Sequence, residues 1–313
     1  MKKLFFFAAV ASVMLTACSS GNEEAKETGN SPLRLSTQNI TGLTRAGQSV
    51  QLSQFDANQQ VGIFLVEDNA GTPVTSGTNV TTYAQPLTYV ANGSGALTNV
   101  QYWPTDGNGL YIYGVYPLAA ATAAAAYNAT GVTFSVQANQ TADANYMLSD
   151  LMTGVPTNPL SNPVARQTSA VGLTFTHLLT KIDVNLTAGD GFAASDMNNA
   201  VVSILNTKPT TTFGVQSTTV GEASGTAAPI VAGTGAATSA IIIPQTVAAS
   251  ANFIQVAIGG GNYIYKLDAA KTFAAKTKYT YSITVNKTGL ILTSTTVTDW
   301  LEGGSTPGTA ELQ

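Results

Sequence analysis

The sequence predicts an all-β fold that is built from short strands. In 313 residues there are 29 glycines, 44% hydrophobic side chains and only 10% charged ones, which is typical of an ordered strand-and-turn protein. From Leu33 onward, short runs of β-branched and aromatic residues alternate with Gly, Asn, Asp and Pro. In residues 279–285 every second side chain is large and apolar, so one face of that strand is expected to be buried.

The expected strands follow one another at short intervals along the chain. Examples are runs of three to seven residues; in order they are 61–66, 110–115, 132–136, 173–175, 182–186, 201–205, 240–243, 253–258, 263–267 and 279–285. A sustained 3.6-residue period, which would indicate a long helix, is missing from the sequence. The alanine-rich residues 119–126 fit either a short helix or a low-complexity surface insert.

The N-terminus has the pattern of a lipoprotein signal. Two lysines precede an apolar stretch from Leu4 to Val13, and Leu15-Thr16-Ala17 leads directly into Cys18. We therefore expect a signal peptide over 1–17 and lipid, palmitate included, on Cys18, which is the only cysteine. The polar residues 18–31 are expected to be a tether, which predicts a lipoprotein precursor on the outer membrane.

A proline-rich segment interrupts the strand pattern in the middle of the chain. Pro156, Pro159 and Pro163 fall in a stretch that is poor in aromatic residues, and proline cannot donate a hydrogen bond to a central strand. The sequence therefore predicts an N-terminal domain over 32–155, a boundary over 156–168 and a C-terminal domain over 169–300.

The composition argues against several classes of function. A net charge of −4 offers no basic surface for nucleic acid, and one cysteine and one histidine, His177, give no zinc cluster and no Cys-His nucleophile pair. We expect no cofactor, no metal and no enzymatic activity, although two carboxylates could still meet across loops. His177 is interpreted as a structural residue rather than a general base. A group of aromatic residues fits core packing better than a carbohydrate platform; it comprises Tyr102, Trp103, Tyr111, Tyr113 and Tyr116.

Several short segments together resemble the fimbrillin family, the lipoprotein-derived pilins of type V fimbriae. The first is the lipoprotein signal that ends at Cys18. The others follow in order along almost the whole remaining chain; they are 44–46, 61–64, 102–104, 111–117, 134–136 with Gln140, 149–152, 175–178, 181–182, 243–244, 279–281 and 298–300. The resemblance implies two transthyretin-like β-sandwich domains in tandem. It also implies a fimbrial subunit at the cell surface that supports adhesion and whose partners are copies of itself and other fimbrial subunits.

The resemblance further implies assembly by strand exchange. An arginine-specific protease would remove an N-terminal strand, and the C-terminal segment of a neighbouring subunit would fill the groove that is left. Residues 32–45 are the candidate removable strand, with Leu33, Leu35, Ile40 and Leu43 at an edge position of the first sandwich. Burying about four such side chains contributes on the order of 10 kcal/mol gross.

Three arginines are candidates for the cleavage site. Arg45 directly follows the removable strand, so cleavage between Arg45 and Ala46 is expected. Cleavage at Arg34 would leave most of the strand in place, and Arg166 would have to be shielded.

The donor strand is expected within residues 289–313. The tail after Trp300 is rich in Gly and Pro, so the donor would come mainly from Leu290, Ile291, Leu292 and Val297. The alternative function is a monomeric surface lipoprotein or tip adhesin that binds glycan or a host protein.

Overall fold

The computed structural model describes residues 31–40, 54–73, 85–157, 162–300 and 308–309, and these are predominantly β-strand, as the sequence predicts. The signal peptide, Cys18, Leu43 and the Arg45–Ala46 bond lie outside the described residues, and of Ile40 only the backbone is described. The helices of the described ranges are all too short and insufficiently apolar to cross a membrane.

The described chain forms strands connected by short turns and three short helical segments. The helices are α1 (Leu118–Ala124), α2 (Asp143–Leu148) and a 3₁₀ helix (Ala194–Asn199). The strands are β1 (Pro32–Ile40), β2 (Gln60–Asn69), β3 (Thr72–Pro73), β4 (Leu87–Ala91), β5 (Ala96–Tyr102), β6 (Leu110–Tyr116), β7 (Val132–Ser135), β8 (Met152–Pro156), β9 (Val171–His177), β10 (Thr180–Ala188), β11 (Val201–Thr207), β12 (Thr210–Phe213), β13 (Ala228–Thr234), β14 (Ala237–Ile242), β15 (Gln245–Val247), β16 (Asn252–Ile258), β17 (Gly261–Lys266), β18 (Lys271–Phe273), β19 (Thr277–Asn286), β20 (Gly289–Asp299) and β21 (Gly308–Thr309).

The first sheet closes on itself as a seven-stranded barrel. Its order is β2-β4-β5-β1-β9-β8-β6, and β6 pairs again with β2, while β3 extends β2 at its end. The transthyretin-like sandwich that the resemblance implies for the N-terminal domain is not confirmed, since this sheet is a barrel. Glycines explain part of the closure, because a Cβ on Gly114 or Gly154 would lie 2.5 or 2.7 Å from the ring of Phe175, which fills the barrel at that level.

Two strands of the first sheet flank the proline-rich segment. β8 and β9 lie on either side of it and pair with each other from Met152↔His177 to Pro156↔Leu173. Beyond them, Val164 exchanges two backbone hydrogen bonds with Leu110 of β6. Pro156 ends β8 and Pro163 directly precedes Val164, while Pro159 lies outside the described residues. β9, expected in the C-terminal domain, belongs to the first sheet.

The second half of the chain has two sheets that face each other across a shared core. One has the order β14-β10-β19-β20-β21 and the other β13-β11-β16-β17. The predicted alternation of β19 is confirmed, since Tyr279, Tyr281, Ile283 and Val285 are all buried in that core.

The barrel and the second half are joined by more than one connection. β7, which lies between the barrel strands β6 and β8 in sequence, pairs with β12. The buried Gln140 side chain bonds both the N–H and the C=O of Ile241 at 2.8 Å. On the outer wall of the barrel, Phe64 and Val115 belong to the same apolar cluster as the second-half sheets. The outer wall of the barrel therefore packs into the core of the second half, while the barrel interior is a separate apolar cluster.

Candidate functional site

The candidate functional site is the position of β1 in the barrel. β1 runs antiparallel to β5, with Leu33 opposite Gln101 and Leu35 opposite Leu97, and parallel to β9, with Leu35 opposite Val171. The edge position expected from the sequence is therefore wrong, because β1 has a paired strand on each side. It completes the ring between β5 and β9.

The side chains of β1 alternate as the sequence predicts. Leu33 and Leu35 are 3% and 2% exposed, and Thr37 is also buried, whereas Pro32 and Arg34 are exposed. The two leucines pack in an apolar cluster with residues from the other barrel strands, which include Leu97, Trp103, Val171, Leu173 and Phe175. β1 is thus a structural part of the barrel core.

Polar contacts fix β1 at both ends. The N–H and the hydroxyl of Thr37 donate to the carbonyl of Gly95 at 2.7 and 3.1 Å, and Trp103 N–H donates to the carbonyl of Ser31 at 3.0 Å. Gly95 has a φ of +93°, and a Cβ there would lie 3.3 Å from the Thr37 carbonyl oxygen. The close approach of β1 to the β4–β5 turn therefore favours glycine at position 95.

Removal of β1 would open the barrel along its length. A closed barrel has no free edges, whereas the opened one would present unpaired backbone groups on both β5 and β9. It would also lose the burial of Leu33 and Leu35, which contributes about 3–6 kcal/mol gross at roughly 1.5–3 kcal/mol per side chain. The opened position is suited to binding another extended strand.

The described arginines differ in how accessible their backbone is. Arg34 is exposed, but its backbone lies within the paired strand β1. Arg166 is half-buried and lies two residues after Val164, which is bonded to β6. Proteases cut most readily in exposed loop segments that are free of pairing, so Arg34 is in protected surroundings, whereas Arg166 lies in a loop segment and is only half-buried. Arg45 lies outside the described residues.

The candidate donor residues lie in a strand of the chain's own sheet. β20 pairs with β19 from Asn286↔Gly289 to Thr277↔Asp299, and Leu290, Leu292 and Val297 pack against the core while Ile291 is 59% exposed. Trp300, directly after β20, is buried and donates its backbone N–H to the carbonyl of Lys276 at 2.6 Å. The structure therefore does not bring these residues to β1.

A buried polar group lies where the barrel meets the second half. His177 Nδ1 donates to Asp150 Oδ1 at 2.7 Å, and the His177 ring stacks on Trp300 with centroids 4.2 Å apart and planes 10° apart. Asp150 is 27 residues away in sequence, so it could not be paired with His177 from spacing. The ring is buried and fully engaged in packing, which fits the structural role predicted for it.

A buried lysine lies beside this group, at the start of β10. Lys181 Nζ lies 3.5 Å from Asp183 Oδ1, and Asp183 also accepts a hydrogen bond of 2.6 Å from Ser239. Burial lowers the pKa of Lys181, and the neighbouring Asp183 carboxylate opposes that shift. Four of the segments that resemble fimbrillins, 149–152, 175–178, 181–182 and 298–300, thus converge here, which their sequence separation did not reveal.

Core packing is confirmed for most of the singled-out aromatic residues. Trp103, Tyr111 and Tyr116 are buried and Tyr113 is half-buried, while Tyr102 is exposed. Among the described ranges, no group of three or more His, Cys, Asp or Glu side chains has an arrangement that could hold a metal ion.

The fold and the site define a class of all-β proteins in which an N-terminal strand completes a barrel, and the outer wall of that barrel packs against a second pair of sheets. A family model described as fimbrillin-like matches residues 44–300, so the chain belongs to the fimbrillin-like family and the resemblance is confirmed. The matched region begins after β1 and ends at Trp300.

Individual relatives agree with this assignment. The chain is 28% identical over 326 residues to a Bacteroides uniformis protein described as a candidate fimbrium subunit, Fim1C, with 99% of each chain covered. Two solved structures described as candidate cell adhesion proteins share the fold. The one from Bacteroides uniformis has a TM-score of 0.62 at 22% identity and covers 88% of this chain and 99% of its own. The one from Bacteroides ovatus has a TM-score of 0.64 at 17% identity and covers 88% and 100%.

Proposed function

We propose that this protein is a structural subunit of cell-surface fimbriae and that a strand of a neighbouring subunit replaces β1 during assembly. The observation that supports this most directly is that β1 alone closes the barrel, between β5 and β9, with two fully buried leucines. Membership of the fimbrillin-like family and the similarity to a candidate fimbrium subunit support the same role. The proposed activity is structural, with no catalytic step.

The incoming strand has to meet the requirements that β1 meets now. It has to run antiparallel to β5 and parallel to β9. It has to place large apolar side chains where Leu33 and Leu35 now lie. It also has to place a hydroxyl group where Thr37, two residues further along, now donates to Gly95. A strand that pairs on both sides and buries these side chains is strongly favoured once β1 has gone.

Proteolysis is the proposed trigger. Before cleavage, β1 is part of the same chain as the barrel, so its effective concentration exceeds that of a strand from another subunit. An arginine-specific protease would cut between Arg45 and Ala46, after which β1 is a separate peptide that can dissociate together with the lipid on Cys18. The precursor would be an outer-membrane lipoprotein and the mature subunit part of a fimbrium.

The donor is proposed to come from residues 289–313 of a neighbouring subunit. Leu290, Leu292 and Ser294 repeat the order of side chains that the groove requires. Since β20 is paired with β19 along its whole length, donation of these residues requires β20 to leave its own sheet. Residues 301–313 avoid that cost, but they contain no two large apolar residues spaced by two. Other fimbrial subunits could equally supply the strand.

The first test is the replacement of the cleavage site. Arg45→Ala should leave the protein as a surface lipoprotein that is not incorporated into fimbriae, and N-terminal sequencing of subunits from wild-type fimbriae should begin at Ala46. Arg34→Ala is the matched control and should assemble normally. Fimbriae that contain the Arg45→Ala subunit with Cys18 at its N-terminus would contradict the mechanism and favour the monomeric binding lipoprotein.

The second test identifies the donor. Ala96 lies opposite Ser36 of β1. In an Ala96→Cys subunit, the new cysteine should therefore form a disulfide with a cysteine of the donor strand that takes the place of Ser36. The mature chain has no other cysteine. A cross-link to Thr293→Cys supports donation by β20, and a cross-link to cysteines after Trp300 assigns the donor to the tail. If filaments form without either cross-link, the donor strand comes from a different kind of fimbrial subunit.

A further inference from the structure

A groove of about 590 Å³ lies where β2 begins and β6 leads into α1. One wall presents the side chains of Asn58, Gln59 and Gln60, and the other presents Pro117, Leu118 and Leu148. Leu148 is 41% exposed and is one of the few large hydrophobic side chains in the described ranges that are exposed. The groove is distinct from the β1 position and from the buried group around His177.

Backbone hydrogen bonds and one side-chain hydrogen bond hold part of the polar wall in place. The backbone N–H of Asn58 donates to Ala91 at 2.8 Å, and Ala91 N–H donates to Gln59 at 2.9 Å. The Gln59 side chain is oriented by the buried Tyr116, whose hydroxyl donates to Gln59 Oε1 at 2.9 Å. With its carbonyl oxygen engaged in this way, the Gln59 amide has its N–H groups left as donors. The Gln59 amide is therefore preoriented, and the exposed amides of Asn58 and Gln60 lie on either side of it in sequence.

The chemistry of the groove is uncharged throughout. None of the described residues that line it is Asp, Glu, Lys, Arg or His. A phosphate, sulfate or carboxylate would have no cation to pair with, and a cationic ligand would have no carboxylate. Amide groups both donate and accept, which suits ligands that carry several neutral hydroxyl groups.

We propose that this groove binds a neutral saccharide. A sugar ring has an apolar C–H face and a rim of hydroxyl groups, which match the Pro117, Leu118 and Leu148 wall and the amide wall respectively. The volume is within the usual range for small-ligand sites and holds one or two sugar units. The inference is independent of the strand-exchange mechanism, since none of these residues belongs to β1 or pairs with it.

The test uses the uncut chain from Ser19 onward, which retains every described residue. Binding is measured by NMR and calorimetry with the methyl glycosides of glucose, galactose, mannose and N-acetylglucosamine, and with lactose. N-acetylneuraminic acid and glucosamine are the charged comparators. At least one neutral sugar should bind with a Kd of about 1 mM or lower.

Two variants separate loss of the site from loss of the fold. Asn58 and Asn206 both have positive φ, 70° and 58°, which glycine adopts without strain. Asn58→Gly should weaken binding about tenfold, since it removes one or two neutral hydrogen bonds, and the matched control Asn206→Gly should leave it unchanged. Gln60→Ala should weaken it similarly. The proposal is overturned if no neutral sugar binds at about 10 mM, if the charged comparators bind better, or if both asparagine variants behave alike.

Discussion

The burial of β1 makes a quantitative prediction for the uncut protein. Leu35 is 2% exposed, between Leu97 of β5 and Val171 of β9, so Leu35→Ala leaves a cavity inside a closed barrel. Leu→Ala changes at such sites lower the free energy of unfolding by about 2–5 kcal/mol. The same change at the neighbouring, exposed Arg34 should alter it by at most about 0.5 kcal/mol.

The measurement is chemical unfolding of the uncut chain, followed by tryptophan fluorescence. Trp103 donates its backbone N–H to Ser31 and therefore lies next to β1. After cleavage, a synthetic peptide of residues 31–40 should rebind to the groove, and the Leu35→Ala peptide should bind at least about tenfold more weakly. The result that would refute this reasoning is that Leu35→Ala and Arg34→Ala lower the free energy of unfolding equally and that the two variant peptides bind the groove equally well. In that case β1 does not contribute to the barrel as described, and the proposed exchange loses its basis.

Three further predictions follow from the barrel and from the buried group beside it. Gly154→Ala should lower the free energy of unfolding by about 1–3 kcal/mol, because its Cβ would meet the Phe175 ring at 2.7 Å, and Phe175→Leu should restore part of the loss in a double-mutant cycle. His177→Gln should cost about 1–3 kcal/mol by leaving the buried Asp150 carboxylate without its donor, and peptide binding to the groove should not change. Burial lowers the pKa of Lys181 in the folded state, so the unfolded chain binds more protons than the folded chain between that pKa and about 10.4. The free energy of unfolding should therefore rise with pH in this window. Urea titrations at several pH values should show this rise for the wild type and not for Lys181→Met.

The local properties of the strands could be predicted from the sequence alone. The alternation of Leu33, Leu35 and Thr37 correctly indicated which side chains of β1 are buried, and the same is true of Tyr279 to Val285 in β19. These predictions hold because successive side chains of a strand point to opposite faces. Family membership could also be predicted, since it depended on short segments in a fixed order.

The pairing of strands could not be predicted in the same way. Periodicity says which face of a strand is buried but not which strand lies beside it, so it allows an edge position for β1, which in the structure is paired on both sides. The short helix α2 and the weakly apolar strands β4 and β5 were missed because their packing surfaces come from distant parts of the chain.

The sequence by itself therefore determined an all-β chain and the buried face of its regular strands. Only the tertiary structure decided that the first sheet closes, because closure depends on the fit of Phe175 against Gly114 and Gly154 on two other strands. It likewise brought Asp150 to His177 and Gln140 to Ile241, 27 and 101 residues apart. Such contacts depend on packing between distant segments, and a local pattern contains no information about the partner.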